Sequence, residues 1–282
     1  MRTNKEKLVM QSLQGKVHHP RTNGYRVGFD NAGRIVPGTG GITYNFHIGD
    51  SCMGLAGDHV EPGVSMQNAD TMENNALNIF SCIGNKAKVI SGDAKGKEGI
   101  ITGTHGGVEH VFVYFDQDTL ESLNVDDKIA VKGYGCGLEL LDYPTIKVMN
   151  IDPDLLEKLN IKENNGVLEV GVTHIVPAHL MGSGLGAAHI QSGDYDIMTQ
   201  DQKEVEKYHL DTLRFGDIVA IMDHNCHNGP HYLTGSCSIG VIVHSDSFTS
   251  GHGPGVAIFL TSKDNALKPC IDKEANLINY IK

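Results

Sequence analysis

One short stretch of the sequence concentrates side chains that bind metals. Asp223-His-Asn-Cys-His-Asn-Gly-Pro-His231 holds a carboxylate, a thiol and three imidazoles. Imidazole and carboxylate together suit zinc, manganese, iron or nickel, whereas carboxylate-rich sites favour magnesium or calcium. The stretch predicts a divalent metal site, zinc or another transition metal before magnesium or calcium. Its leading ligands are Asp223, His224, His227 and His231.

The spacing of these histidines does not enforce a site. They would share one face of a helix, but the asparagine, glycine and proline residues among them disfavour a helix. A loop would have to bring them together. The alternative is a hydrogen-bonded histidine scaffold that binds no metal. Cys226, flanked by histidines, leaves open a third hypothesis, a thiol enzyme whose cysteine is alkylated quickly and selectively.

A second group of candidates follows the strand-like run that ends at Val243. His244 and Asp246 come directly after it, and His252 lies in Gly251-His-Gly-Pro-Gly255. A turn rich in glycine and proline holds an imidazole with little crowding. We expect His244 and Asp246 to be further metal ligands. His252 is the expected catalytic acid or base, acting on water that the metal activates.

Two Gly-Asp turns near the N terminus supply the remaining candidates. Gly49-Asp50 and Gly57-Asp58-His59 punctuate a short apolar piece. We expect Asp58 to be catalytic by moving a proton, although both aspartates could instead cap backbone N–H groups of turns. The expected lining of the substrate pocket is His47, Asp50, His59, His179 and His189.

Composition excludes several classes of function. The net charge of -11, with 23 basic residues and no Lys/Arg run, argues against a nucleic-acid partner. A charged N terminus and the lack of a long apolar run predict a soluble, cytoplasmic protein with no membrane partner. Six scattered cysteines without a Cys-x-x-Cys pair favour reduced thiols. Gly182, Gly184 and Gly186 lack the spacing and βαβ context of a dinucleotide site.

The elements that must position these candidates are mainly strands. Ile218–Met222, Ile239–Val243 and Val256–Thr261 are typical of buried strands, and the first two lead directly into candidate loops. Closely spaced strands between Lys88 and Lys132 indicate a small barrel. Asp152 before Pro153 predicts the start of a short helix.

We therefore predict a mainly β fold, a β-rich α+β arrangement with a β-sandwich or barrel core, a small SH3-like barrel and few short helices. Residues 1–83 would form an irregular N-terminal part with the first core loops, and 84–148 the SH3-like barrel. Residues 149–282 would form the main β-rich domain, packed with parts of 1–83. The loops expected to meet in one pocket are 47–59, 174–196, 223–231 and 244–255.

The sequence resembles an uncharacterised prokaryotic family known only as a domain of unknown function. The residues concerned are Lys88–Leu140, with Thr104-His-Gly-Gly-Val-Glu-His110 and Gly133-Tyr-Gly-Cys-Gly-Leu138, and the segment from His244 to Gly255. The resemblance extends over nearly the whole chain. It implies a β-rich fold with a small SH3-like barrel set into it, and no established activity.

A second, local resemblance suggests a reaction. The run from His47 to Asp58 is similar to the Gly-Asp-x-His-x-x-Gln-Gly-Asp-Gly-Glu segment of the acetamidase/formamidase family, β-rich amidases that bind a metal. The two Gly-Asp pairs lie one residue further apart here, and Cys52 and Ala56 replace the histidine and the glutamine. The resemblance implies a metal-dependent hydrolase of a small amide or related polar molecule. The alternative is a non-catalytic protein that binds a small ligand or assembles. In either case an acidic, glycine-rich β protein is expected to form homo-oligomers.

Overall fold

The structure, a computed structural model, describes residues 1–22, 24–183 and 189–281. The described chain is mainly β with few short helices, which confirms the predicted class. The strands are β1 (Gln11–Val17), β2 (Arg26–Val27), β3 (Gly33–Arg34), β4 (Ile42–Thr43), β5 (Gly63–Gln67), β6 (Lys86–Val89), β7 (Glu98–His105), β8 (His110–Tyr114), β9 (Lys128–Gly133), β10 (Ile146–Val148), β11 (Ile161–Asn164), β12 (Val167–Val172), β13 (His174–Pro177), β14 (Tyr195–Asp196), β15 (Ile218–Asn225), β16 (His231–His244), β17 (Gly255–Ser262) and β18 (Leu267–Ile271). The α-helices are α1 (Thr71–Phe80), α2 (Gln117–Ser122), α3 (Pro153–Leu156), α4 (Gln202–Tyr208) and α5 (Ile278–Ile281). Four single 3₁₀ turns cover Lys5–Lys7, Ala178–Leu180, Ile190–Ser192 and Leu210–Thr212.

Six antiparallel strands form a closed barrel, in the order β1-β9-β6-β7-β8-β5 and back to β1. Alternate residues point inward, as in β9, where Ile129 and Val131 are buried and Lys128 and Lys132 are exposed. The predicted barrel segment 84–148 supplies four of these strands. The other two, β1 and β5, come from residues before 84 and complete the closure.

The second large unit is an open sheet in the order β10-β17-β16-β15-β13. β14 pairs with the start of β17, on the same edge as β10 and opposite β16. The sheet's inner strand β17 is buried at every position, and its central strand β16 is buried over its second half. Such continuous burial explains the unbroken apolar runs in the sequence. The strands predicted at 218–222, 239–243 and 256–261 are confirmed, each extended by one or more residues. A small sheet, β11-β12-β18, packs beside them.

The barrel packs on the open sheet through β7 and β16. Gly103 of β7 lies at this contact, and a Cβ there would come within 2.3 Å of Val243 Cγ1. Glycine therefore permits the close approach of the two units. His105 ends β7 and His244 ends β16, so residues far apart in sequence reach the same junction.

Short helices begin where side chains cap them. The Asp152 carboxylate accepts from the N–H of Asp154 at 2.8 Å, with Pro153 in the first turn of α3, which confirms the predicted helix start. No helix among the described residues is long and apolar enough to cross a membrane.

Candidate metal centre

A cluster of histidines and aspartates lies where the barrel meets the open sheet. It contains three overlapping groups, and within each group the candidate ligand atoms all lie within 4.8 Å of one another. The groups are His59, His105 and His244; His59, Asp196 and His252; and Asp194, Asp196 and His244. Each of His59, Asp196 and His244 belongs to two groups, so the cluster is one centre.

Three imidazoles of the centre have at Nδ1 an acceptor that lies outside the three ligand groups. The pairs are His105 with Glu61 Oε1 at 2.5 Å, His59 with Asp58 Oδ2 at 3.2 Å, and His244 with the carbonyl of Ser245 at 2.9 Å. An acceptor there favours the tautomer that carries its proton on Nδ1. The lone pair then lies on Nε2, the arrangement found in histidines that bind metals.

The contact between His244 and Asp194 is the most informative of the centre. His244 Nε2 lies 2.7 Å from Asp194 Oδ2, both side chains are buried, and neither atom makes another hydrogen bond among the described residues. With the proton on Nδ1 of His244, the two facing atoms both present lone pairs. Lone pairs at this distance repel unless a cation, a proton or a metal ion, lies against both.

Asp196 connects the remaining imidazoles. One of its oxygens, Oδ2, lies 2.8 Å from His252 Nδ1 and 3.6 Å from His59 Nε2. Burial opposes ionisation of Asp196, but its contacts with His244, His252 and His59 outweigh burial and hold its pKa well below the usual value.

The pKa values of two histidines reflect the negative charge of the aspartates beside them. Burial disfavours a charged His244, yet Asp194 and Asp196 raise its pKa well above the usual value. His59 behaves in the same way, because Asp196 and Asp58 raise its pKa against the effect of burial. The centre therefore stabilises positive charge.

Glu61 is the buried carboxylate that holds the histidines contributed by the barrel. Its side chain is fully buried and lies 2.5 Å from His105 Nδ1 and 2.9 Å from His110 Nδ1. It also accepts from Gly40 N at 2.7 Å and Ser65 Oγ at 2.5 Å. Burial would raise the pKa of Glu61, but the two histidines lower it below its usual value. An ionised Glu61 fixes the orientation of His105.

Local backbone features place the ligands. His59 has a φ of 51°, in the left-handed region that is uncommon for a residue other than glycine. The register of β16 on β17 shifts between Ile242 and His244, and such a bulge redirects the side chain that follows it. Gly255 keeps the space open, because a Cβ there would lie 2.0 Å from Asp194 Oδ2 and 2.3 Å from His244 Nε2.

A cavity of about 440 Å³ opens over the centre. Asp58, His59, His105 and His252 form part of its wall. The volume suits a small molecule, which could therefore reach the candidate ligands.

Three of the four loops expected to meet do so. Asp58 and His59 come from 47–59, and His244 and His252 from 244–255. The loop 174–196 contributes through Asp194 and Asp196. Asp246 lies next to the centre, where its Oδ1 accepts from Thr199 Oγ1 at 2.5 Å and burial raises its pKa. It belongs to none of the three ligand groups of the described chain.

The loop 223–231 is not part of the centre. Its side chains bond locally: Asp223 to Gly235 N at 2.7 Å, His224 to Ser238 Oγ at 3.1 Å, His227 to Asn225 at 3.1 Å and His231 to the Gly229 carbonyl at 3.0 Å. This is the arrangement of a histidine scaffold, and within the described residues no group suited to an ion includes the loop. The metal roles of this loop stay predictions.

The thiol hypothesis receives no support from the environment of Cys226. The residue is buried, and burial raises the pKa of its thiol to about 12. A cysteine nucleophile needs a lowered pKa and access to substrate.

The other expected pocket residues lie apart from the cluster. Asp50 Oδ2 accepts from His47 N at 2.8 Å, so this carboxylate caps a turn. His179 pairs with Glu204 at 2.8 Å on the surface. His189 lines a separate cavity of about 520 Å³. Gly184 and Gly186 lie outside the described residues.

Sequence reasoning missed His105, Glu61, Asp194 and Asp196. One signal for the aspartates was present, since Asp194-Tyr-Asp196 places two carboxylates at alternate positions, which share a face in extended chain. His105 stands before a Gly-Gly turn. Glu61, which lies between Val60 and Pro62, carried no comparable signal in the sequence.

Comparison with known families gives two matches that together cover most of the chain. Residues 25–157 match the N-terminal and residues 158–281 the C-terminal domain of unknown function DUF4438. The chain belongs to the DUF4438 family. The boundary between the two DUF4438 regions falls just after α3, and the centre takes His59 and His105 from the first and its other ligands from the second.

This DUF4438 chain is also similar to a solved structure described as "Crystal structure of TM1086". The two are 48% identical, the match covers 100% of this chain and 99% of that chain, and the TM-score is 0.96. A comparison with curated proteins found no match.

Proposed function

We propose that this DUF4438 protein binds a divalent transition-metal ion at the barrel–sheet centre and hydrolyses a small polar molecule, such as an amide, beside it. The observation that carries the proposal is the 2.7 Å approach of two buried ligand atoms, His244 Nε2 and Asp194 Oδ2, neither of which makes another hydrogen bond within the described residues. Metal coordination satisfies both atoms at once.

The donor set favours zinc or a similar transition ion. His59, His105 and His244 supply imidazole, and Asp194 and Asp196 supply carboxylate. Magnesium and calcium prefer oxygen ligands. The carboxylates of Asp58 and Glu61 hold two of these imidazoles in the tautomer that binds a metal.

The cavity provides space for a substrate beside the centre. A bound ion of this class polarises a carbonyl group and lowers the pKa of water to about 7. His252 lines the cavity, and Asp196 holds its Nδ1 at 2.8 Å. Its other ring nitrogen remains to exchange a proton with a ligand, which fits a general acid or base.

Metal analysis of purified protein tests the binding step. Untagged chain is loaded with zinc, manganese, iron or nickel, desalted, and its metal content is measured by mass spectrometry. We expect about one ion per chain in the wild type, and loss of it in His105→Gln and His244→Gln. His231→Gln, in the loop 223–231, is the matched control and keeps the ion. Circular dichroism shows whether each variant is folded.

Two results would contradict the proposal. If the wild-type chain stays metal-free under every loading condition, the centre does not bind a metal. If folded His244→Gln retains the ion, the ion binds at a different site. The hydrolytic step has a separate test, turnover of a panel of small amides and esters by the loaded wild type, which we expect His252→Gln to reduce without loss of metal.

A further inference from the structure

The cavity over the metal centre is basic although the chain is acidic. Arg21, Arg26 and Arg34 line it, whereas Asp58 is its one carboxylate among the described lining residues. The whole chain has a formal net charge of -11. A concentration of positive side chains around one cavity attracts anions to it.

Arg34 is a structural member of this wall. Its guanidinium donates to both oxygens of Asp30, at 2.8 and 2.5 Å, and lies 4.9 Å from the centre of the Phe248 ring. Its charge is therefore neutralised by Asp30.

Arg26 is different, because within the described residues it donates no hydrogen bond to a carboxylate. Its Nη1 lies 3.8 Å from Asp58 Oδ2, beyond hydrogen-bond distance, and its side chain is 44% exposed. Asp58 already accepts from Ser247 Oγ at 2.5 Å and Phe248 N at 3.2 Å, and its Oδ2 lies beside His59 Nδ1. Asp58 does not need Arg26, so the guanidinium is available to a ligand.

Arg21 is oriented but not neutralised. Its Nη2 donates to Gln67 Oε1 at 2.8 Å, and its second contact in the described chain is His18 Nε2 at 3.5 Å. The amide of Gln67 carries no charge. Arg21 and Arg26 thus bring two guanidinium groups to the same cavity, and neither donates a hydrogen bond to a carboxylate of the described residues.

We propose that the cavity recognises a small molecule through an anionic group, a carboxylate or a phosphate, which Arg26 and Arg21 bind. Guanidinium groups bind the oxygens of both anions through paired, charge-assisted hydrogen bonds. The cavity of about 440 Å³ admits a molecule of metabolite size. That the same molecule is hydrolysed at the metal centre rests on the proposed function; recognition of the anion does not require the metal.

Calorimetry on the metal-free full chain tests the recognition step, because an anion cannot then bind to the ion itself. The probes are inorganic phosphate, succinate and the neutral succinamide. We expect phosphate or succinate to bind and succinamide not to bind. Arg26→Gln and Arg21→Gln each weaken the binding about tenfold or more. Arg2→Gln, which removes the same charge from an exposed pair with Asp142, leaves it unchanged.

If only phosphate or only succinate binds, the result shows which anionic group, a phosphate or a carboxylate, the cavity recognises. No binding of either anion, equal binding of succinamide, or undiminished binding by both Arg21→Gln and Arg26→Gln overturns the inference. Metal content is measured on the same samples after reloading. An Arg26→Gln chain that takes up its ion on reloading but no longer binds the anion supports the inference. A wild type that binds the anion but takes up no ion on reloading contradicts only the proposed function.

Discussion

At the scale of single residues, the centre depends on groups that would not touch the ion. Glu61 and Asp58 each hold an imidazole by its Nδ1, and the pKa of each carboxyl is lowered against the effect of burial. They orient His105 and His59, and they favour the tautomer of each ring that has its lone pair on Nε2.

Glu61→Gln should therefore weaken metal binding without removing a ligand. The amide keeps the size of the side chain but loses the charge that orients His105 and His110. Loss of such an orienting group typically costs ten- to a hundredfold, roughly, in metal affinity. Competition with a chromophoric chelator measures the effect, and Glu73→Gln on the exposed face of α1 is the control. Unchanged affinity in folded Glu61→Gln would show that Glu61 has no such role.

His224 predicts how acid acts on stability. It is buried, and burial lowers its pKa from 6.5 to about 4. As the pH falls below 6.5, His224 becomes protonated in the unfolded chain but stays neutral in the folded chain. The free energy of unfolding therefore decreases until about pH 4. The difference in pKa corresponds to roughly 3 kcal/mol when complete. His224→Gln should make urea unfolding less dependent on pH between 6.5 and 4, and the exposed His231→Gln should not.

At the scale of elements, strand ends and one bulge bring the ligands together. β7 and β16 end at His105 and His244, and β14 ends at Asp196. Two of these strands belong to the open sheet and one to the barrel. Gly255, the first residue of β17, is the point where a strand backbone borders the ligand space.

Gly255→Ala tests this bordering position. The added Cβ would overlap Asp194 Oδ2 and His244 Nε2, which lie 2.0 and 2.3 Å from its ideal position. We expect loss of metal from a folded chain whose ligands are all intact. Val256→Ala, one residue along β17, opens a small void and lowers the melting temperature but keeps the ion. Full metal content in Gly255→Ala would show that the space beside β17 is not the ion's position.

At the scale of the whole molecule, the centre joins two units. His59 and His105 belong to the barrel and its entry loop, and Asp194, Asp196, His244 and His252 to the open sheet and its loops. An ion held from both sides links the barrel to the sheet. Such an ion would also link the two DUF4438 regions.

Metal should consequently stabilise the whole chain. Free ion at about 100 times its Kd adds about 2.7 kcal/mol to the free energy of unfolding if the unfolded chain does not bind it. We expect scanning calorimetry to show a higher melting temperature with zinc and a smaller change with magnesium. Removal of the ion by a chelator should reverse the shift, and His244→Gln should abolish it. Equal shifts in wild type and His244→Gln would place the stabilising ion outside the centre.

Much of the local structure could be predicted from the sequence, because it depends on neighbours along the chain. Apolar runs mark the strands at 218–222, 239–243 and 256–261, and Asp152 before Pro153 marks the start of α3. The short loop between two of these strands made His244 and His252 candidates, and the Gly57-Asp58-His59 turn made His59 one.

Only the tertiary structure decided which loops meet. The barrel closes through the pairing of β1 with β5, and Gly103 lets β7 approach β16; these long-range contacts carry His105 to His244. The richest histidine stretch, 223–231, satisfies its own polar groups in a local turn, whereas the less conspicuous Asp194 and Asp196 reach the centre. Sequence pattern expresses local sterics and burial, but the set of ligands depends on how distant strands pack.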